Sequence, residues 1–289
     1  MIDVIIDTLL DCLKSIPIIF LAYLIVEYIS KKTGNEFNRN LGGKKGPLFG
    51  SLLGAIPQCG LSAMASNFYS YRIITLGTLF SVYLSTSDEA FIIMLAHPDR
   101  ILDLVIVFAS KIILGMLFGV IIDAIFRKQE LKKMSEYEIV FGCGCGDNLI
   151  LTAVQKSGRI LLYLLVASFL VNTGVYLIGE ENITTFITSN VFIQPLVAPL
   201  IGLIPSCAPS IILTELFLSG AISYSGIIGG LLTSAGVGTL VLFKYNKKDQ
   251  KQNIFILLGL YGIGVLVAFV IEGIMLLFKL IRKSLCVVA

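Results

Sequence analysis

Charge and histidine are scarce in this sequence, and a nucleotide-binding loop is missing. Only 14% of the 289 residues are charged. A soluble domain carries about 25%, so an ordinary water-soluble fold is excluded. The one histidine, His97, stands beside Pro98 in a loop and reads as solvated. No histidine is therefore placed within a span to activate Cys59 or Ser62, which argues against an intramembrane enzyme. No G-x-x-x-x-G-K stretch occurs, so ATP hydrolysis by this chain is not expected. The N-terminus carries Asp3 and Asp7 but no basic region or small-residue cleavage site, so no cleavable signal is expected. The net charge of +3 says little about partners. Its lysines and arginines lie mainly in loops, where they report orientation rather than nucleic-acid binding.

Apolar length is what the chain has in abundance. It is 56% hydrophobic with a mean hydropathy of +0.91. Long apolar runs cover 4–29, 73–95, 101–126, 160–178, 191–218, 222–243 and 254–281. About 18 mostly apolar residues suffice to cross the ~30 Å hydrocarbon layer as a helix. The fold class is therefore an all-α, polytopic integral membrane protein. Six cysteines do not make a disulfide framework here. Cys12 and Cys286 lie near the ends, Cys143 and Cys145 share a loop, and Cys59 and Cys207 occupy a repeated motif; they read mostly as free thiols.

The repeat is gapless. Residues 47–95 align with 195–243 at a constant offset of 148, placing Pro47 on Pro195, Gly54 on Gly202, Pro57 on Pro205, Cys59 on Cys207 and Ser62 on Ser210. Each copy carries Pro-x-Cys-x-x-Ser inside an apolar segment. Repeated halves with proline-broken segments at matching positions point to a transporter's binding site.

Loop charges orient the copies. Basic residues crowd 31–45, 127–159 and 244–251, whereas 180–190 holds two glutamates and no base. Basic loops stay inside. Residues 47–95 must then start inside and finish outside, which two full crossings cannot achieve. A hairpin at 47–70 followed by one span at 73–95 solves the count. Hairpin arms of about 11 residues reach ~16 Å, half the membrane. The second half runs oppositely: 158–179 out, a hairpin at 195–219 from outside, 223–243 in and 252–281 out. The expected architecture is an inverted repeat, each half with three spanning helices and one re-entrant hairpin. Residues 1–126 form the first repeat, 127–157 a cytoplasmic linker and 158–289 the second repeat.

Non-helical backbone at membrane depth survives only inside protein or beside a watery cavity. Pro57 and Pro205 free carbonyls at the hairpin tips, and Pro209 adds a second break. Facing tips would present Gln58, Cys59, Ser62, Ser206, Cys207 and Ser210 to a small inorganic ion. Thiolates suit soft metals and oxygens suit harder ones such as manganese; small packing cysteines and self-bonding serines are the bland alternative. Thr86, Ser87, Asp88 and Glu89 cover the whole circumference of a helix at ~100° per residue, so lipid cannot surround that level. Either neighbouring helices enclose it or the helix unwinds. Asp88 and Glu89 suit cation coordination or proton exchange, and Lys111 is a counter-ion or structural partner for them. Asn67 and Glu215, aligned beyond the two tips, are further ligand candidates. Asp123 and Glu272 lie one residue off register in the last span of each half and are candidate coupling or gating groups. In the linker, Cys143 and Cys145 bring two thiols within reach of one metal, fewer than a closed zinc site needs. A metal relay and a flexible link both fit.

The stretches Gly54-Ala55-Ile56-Pro57-Gln58-Cys59-Gly60-Leu61-Ser62, Ser85-Thr86-Ser87-Asp88-Glu89-Ala90, Cys143-Gly144-Cys145-Gly146-Asp147-Asn148 and Gly202-Leu203-Ile204-Pro205-Ser206-Cys207-Ala208-Pro209-Ser210 together resemble the ten-transmembrane heavy-metal exporters. These are similar to arsenic efflux permeases, and some members are identified as manganese transporters. The resemblance implies an ion permease with ten membrane segments, matching six spans plus four hairpin arms. Many members carry an Asp-Gly-Asp-Ala-like stretch where this chain has Ser234, Ala235, Gly236 and Val237, and histidine-rich central loops also occur in the family. This chain has neither, which looks closer to the manganese-type members.

The expected function is a secondary-type permease of a cytoplasmic (inner) membrane exporting a metal or metalloid ion. A manganese-like divalent cation is favoured, an arsenic species comes next, and the intramembrane acids allow proton coupling. The alternative is a lipid or isoprenoid-lipid carrier with re-entrant hairpins. No cofactor and no nucleic acid are expected; partners are the ion, the bilayer and, left open, further copies of the chain.

Overall fold

A computed structural model describes residues 45–56, 59–86, 89–126 and 193–288. Pro57, Gln58, Ser87, Asp88, the linker with Cys143 and Cys145, and the first apolar run of each half lie outside the described residues. Cys59 and Glu89 enter only as first residues of their helices.

The described residues are helical. In chain order they form α1 (Gly46–Gly54), α2 (Cys59–Ser70), α3 (Leu76–Ser85), α4 (Glu89–Leu95) and α5 (Ile101–Ile125), then α6 (Gln194–Gly202), α7 (Ala208–Leu218), α8 (Tyr224–Thr233), α9 (Gly238–Tyr245) and α10 (Gln250–Val288). Short 3-10 turns, Pro98–Arg100 and Lys247–Asp249, precede α5 and α10. Among the described residues, four segments are long and apolar enough to cross a membrane: Leu76–Leu95, Pro98–Ile125, Tyr224–Tyr245 and Gln250–Leu277.

Local sequence explains the boundaries. Pro47 and Pro195 sit in the first turns of α1 and α6, where a missing N–H costs nothing. Pro209 likewise starts α7 instead of adding a second break to the hairpin tip, whereas Pro205 does lie in the interruption between α6 and α7. Thr75 caps α3, its hydroxyl accepting the Thr78 N–H at 3.1 Å. After α2, Arg72 N–H reaches Tyr69 O and Ile73 N–H reaches Phe68 O; after α7, Gly220 and Ala221 make the same pair of bonds to Phe217 and Leu216. This αL helix ending needs positive φ, supplied by Gly220 at 79° but by Arg72 at 61°. Arg72 accepts the strain while its guanidinium bonds Asp249 at 3.0 Å and Gln252 at 3.2 Å.

Helix boundaries recur at the sequence offset. Gly46–Gly54 shifted by 148 is Gln194–Gly202, and Leu76–Ser85 shifted by 148 is Tyr224–Thr233. Packing partners recur too. Helix α3 lies against α1 and α5, as α8 lies against α6 and α10, while α2 meets α9 and α7 meets α4 across the halves. The last helices match at 149: buried Val107, Lys111 and Gly115 correspond to buried Ile256, Leu260 and Gly264. One residue gained before α10 accounts for the slip.

Small residues permit the closest crossings, as membrane helices require. A Cβ on Gly119 would stand 2.8 Å from Gly77 O and 3.0 Å from Pro47 Cβ, joining α5, α3 and α1. A Cβ on Gly229 would meet Ala268 at 2.8 Å and Gly264 O at 3.2 Å, the same device between α8 and α10. Outward positions such as Leu102 (74% exposed) and Ile125 (69% exposed) are apolar, an exterior suited to lipid and not water. Helices α3 and α8 begin at opposite ends of α5. Thr75, capping α3, bonds Asp123 near the end of α5, whereas Tyr224 opens α8 and bonds Asp103 at the start of α5.

Candidate functional site

The segments Leu76–Leu95 and Tyr224–Tyr245 are each interrupted near mid-length. The polar run after Leu84 ends α3 at Ser85, and the chain resumes a helix at Glu89. Among the two outcomes expected from the sequence, the helix stops, and Ser85 and Thr86 are also enclosed, at 0% and 1% exposure. The matching interruption of the second half was missed. Residues 222–243 read as one continuous span, yet α8 ends at Thr233 and α9 starts at Gly238. Gly236 supplies the physical reason, with φ at +55° where other residues are strained.

The first break is sealed by a lysine. Lys111, 1% exposed, extends from α5 and donates its ammonium to the Thr86 carbonyl. It thereby caps the negative end of α3, which favours a cation. Thr86 Oγ1 donates to Val82 O at 2.7 Å, and Ser85 Oγ to Ser81 O at 2.7 Å. The second break is arranged differently. Thr233 Oγ1 lies 2.8 Å from Pro199 O and 2.9 Å from Gly230 O. Ser234, next in sequence and 2% exposed, has no hydrogen-bond partner for its hydroxyl. Ser206, in the interruption between α6 and α7, is likewise 2% exposed with an unpartnered hydroxyl.

The short helices α2 and α7 abut the interrupted spans, α2 against α9 and α7 against α4. Gly238 opens α9 against Ser62 of α2, and a Cβ there would stand 2.9 Å from Ser62 backbone and side-chain atoms. Ser66 joins three elements: its Oγ lies 2.6 Å from Ser62 O, 2.7 Å from Gly238 O and 2.6 Å from Tyr83 OH. Its single proton serves one carbonyl at a time while the tyrosine donates to it. In α7, Thr214 Oγ1 donates to Ser210 O at 2.6 Å, repeating the Ser66–Ser62 bond at the same offset.

The expected site residues separate into groups. Ser62, Thr86, Ser206 and Ser210 are buried at the interruptions or on the helices beside them. Cys207 is half-buried one residue before α7. Asn67 is buried, but its aligned partner Glu215 is exposed, so the two do not share an environment. Asp123 and Glu272 lie away from both breaks. Asp123 accepts the Gly77 N–H at 2.7 Å and the Thr75 hydroxyl at 2.7 Å. Glu272 accepts the Ser225 hydroxyl at 2.5 Å beside Ser223, the residue before α8. Both carboxylates thus dock on helix N-termini, at opposite ends of the molecule. Ser66, Tyr83 and Ser234 were not legible as site residues. For Ser234 the available signal was its alignment with Thr86. No group of three His, Cys, Asp or Glu side chains converges among the described residues. What they offer at the breaks is oxygen from hydroxyls and carbonyls.

Comparison with known families meets this geometry at one point. The chain matches the family described as "Putative, 10TM heavy-metal exporter" over residues 1–173 and 146–238. It belongs to that family. Neither a curated protein nor a solved structure matches it. The exporter is accordingly a multi-pass membrane protein of the metal-efflux class. Its family description counts ten membrane segments, four of which are the long spans among the described residues.

Proposed function

We propose that the exporter is a secondary-type permease moving a metal or metalloid ion outward across the cytoplasmic membrane, by rocking two inverted halves around the interrupted spans. The observation that carries this reading is the pair of helix breaks at matching positions, each abutted by a short helix of the other half. The short helices α1, α2, α6 and α7 hold 9, 12, 9 and 11 residues, too few to cross alone, which supports re-entrant hairpins. The opposed starts of α3 and α8 along α5 support an inverted arrangement. Broken helices at the repeat interface are where transporters bind ions.

The ion would be held between the two tips, by Gln58, Cys59, Ser62, Ser206, Cys207 and Ser210 together with Thr86, Ser87, Asp88 and Glu89. Hydroxyl and carboxylate oxygens favour a harder divalent cation such as manganese over an arsenic species. Lys111, fixed on the Thr86 carbonyl, supplies the counter-charge for Asp88 or Glu89, and those acids accept protons in exchange for metal. Cys143 and Cys145 would hand metal over from the cytoplasmic side.

The test is a metal-resistance assay in a deletion strain challenged with manganese, zinc, cobalt, arsenite and organoarsenicals. Asp88→Asn and Glu89→Gln should each abolish resistance to the transported ion while membrane levels stay unchanged. Full resistance in both variants removes the acids from the mechanism.

A further inference from the structure

The two breaks are equivalent by position but not by charge. Thr86 in the first corresponds to Ser234 in the second. Lys111, whose ammonium sits on Thr86, corresponds in packing to Leu260, which is 0% exposed. A leucine side chain ends at its δ carbons, two atoms short of a lysine nitrogen. The fold therefore delivers a single positive charge to one break through a tether and delivers none to the other through that position. Among the described residues two buried hydroxyls have no partner: Ser234 at the second break, and Ser206 in the interruption between α6 and α7. Such an orphan is costly unless something binds it. Both flank one tight contact: Gly202 of α6 packs on Thr233, Ser206 follows Gly202 by four residues, and Ser234 follows Thr233 directly.

We propose that this second break is a binding site for a monovalent alkali cation, Na+, held by the Ser206 and Ser234 hydroxyls with carbonyls freed where α8 stops. Size and ligand type fit a hard cation, which takes oxygen donors. Charge fits a monovalent one. The segments 203–207 and 233–238 contain no acidic residue, so only neutral donors from them face the ion. Neutral donors offset the desolvation of one charge far more readily than of two. Lys111 at the equivalent place is the built-in counterpart, an ammonium held where the other half takes a free ion. The Na+ site shares Ser206 with the metal site proposed above, and Ser234 is its own; its use as an ion exchanged for metal rests on that efflux reading.

The measurement is thermal stability of the full-length protein in nanodiscs, titrated with NaCl against choline chloride at constant ionic strength, with no metal substrate present. Na+ should raise the melting temperature to a plateau, and 22Na+ should bind with the same half-saturation. Ser234→Ala and Ser206→Ala should each weaken that half-saturation about tenfold, the loss of one good ligand. Their melting temperatures in choline should equal or exceed wild type, because each removes a hydroxyl that has no partner when Na+ is absent. Leu260→Lys should abolish the Na+ response by supplying a tethered ammonium. A wild-type protein indifferent to Na+, or Ser234→Ala with an unchanged half-saturation, overturns the proposal. Because no metal enters the assay, metal efflux stands or falls separately.

Discussion

Asp123 and Glu272 show how residue type and residue role diverge inside a membrane protein. Each is an acid in a long apolar helix, the pattern that marks a coupling group. Asp123 nevertheless accepts an N–H that has no partner within its helix, from Gly77 in the first turn of α3, and Glu272 accepts the Ser225 hydroxyl in the first turn of α8. An anchoring role and a gating role separate in one experiment. Asp123→Ala should lower stability by about 1–2 kcal/mol, as loss of a helix cap does, with transport per folded molecule near wild type. A scanning fluorimetry melt paired with vesicle transport reads both. Lost transport at an unchanged melting temperature would restore the gating role. Arg72 is a second residue whose role comes from its partners: its strained backbone is held by bonds to Asp249 and Gln252.

Among the elements, contact distance is set by glycine. Helix α5 is buried along Leu104, Val107, Phe108, Lys111, Gly115, Gly119 and Ile122, one stripe at helical spacing. Gly115 and Gly119 let α3 approach there, and Ser81 of α3 closes on α1 by donating to Pro47 O at 2.5 Å. Gly119→Leu should force these helices apart, at a cost of about 1–3 kcal/mol from overpacking. Gly262→Ala makes the contrasting control. A Cβ there meets nothing, and helix propensity alone predicts a gain of about 1 kcal/mol. Equal melting temperatures for the two variants would show that the crossing at Gly119 tolerates separation. The Asn246 and Asn253 side chains, 2.7 Å apart and buried, fix the turn between α9 and α10 in a similar local way.

Over the whole molecule, side-chain bonds among the described residues tie the two parts of the chain at both ends. At one end Arg72 of the first half bonds Asp249 of the second at 3.0 Å. At the other, Tyr224 of the second half donates to Asp103 of the first, which Arg100 also contacts at 3.1 Å. The Arg72–Asp249 pair is partly exposed, with side chains 28% and 51% accessible, so it contributes under about 1 kcal/mol. A weak tie fits the rocking motion proposed above. Replacing Arg72 and Asp249 by cysteine and joining them with a short bis-maleimide should stop transport without unfolding the protein. Transport at the wild-type rate in the joined protein would exclude a rocking motion that opens this end.

Much of this was legible without coordinates, and the limit has a physical cause. Composition determined the solvent, because 14% charge cannot cover a soluble surface. The repeated prolines and glycines marked where helices stop, since missing N–H groups and positive φ act locally, and short helices, α1 and α2 then α6 and α7, lie within 47–70 and 195–219. The second break escaped because Thr233, Ser234 and Gly236 carry no charge, and neutral residues of this kind also fit within a continuous membrane helix. Tertiary structure alone decided which carboxylates cap helices, which half's short helix meets which span, and which hydroxyls are left without partners. Those outcomes depend on what lies across the interface, and neighbours remote in sequence leave no trace in the pattern of either segment.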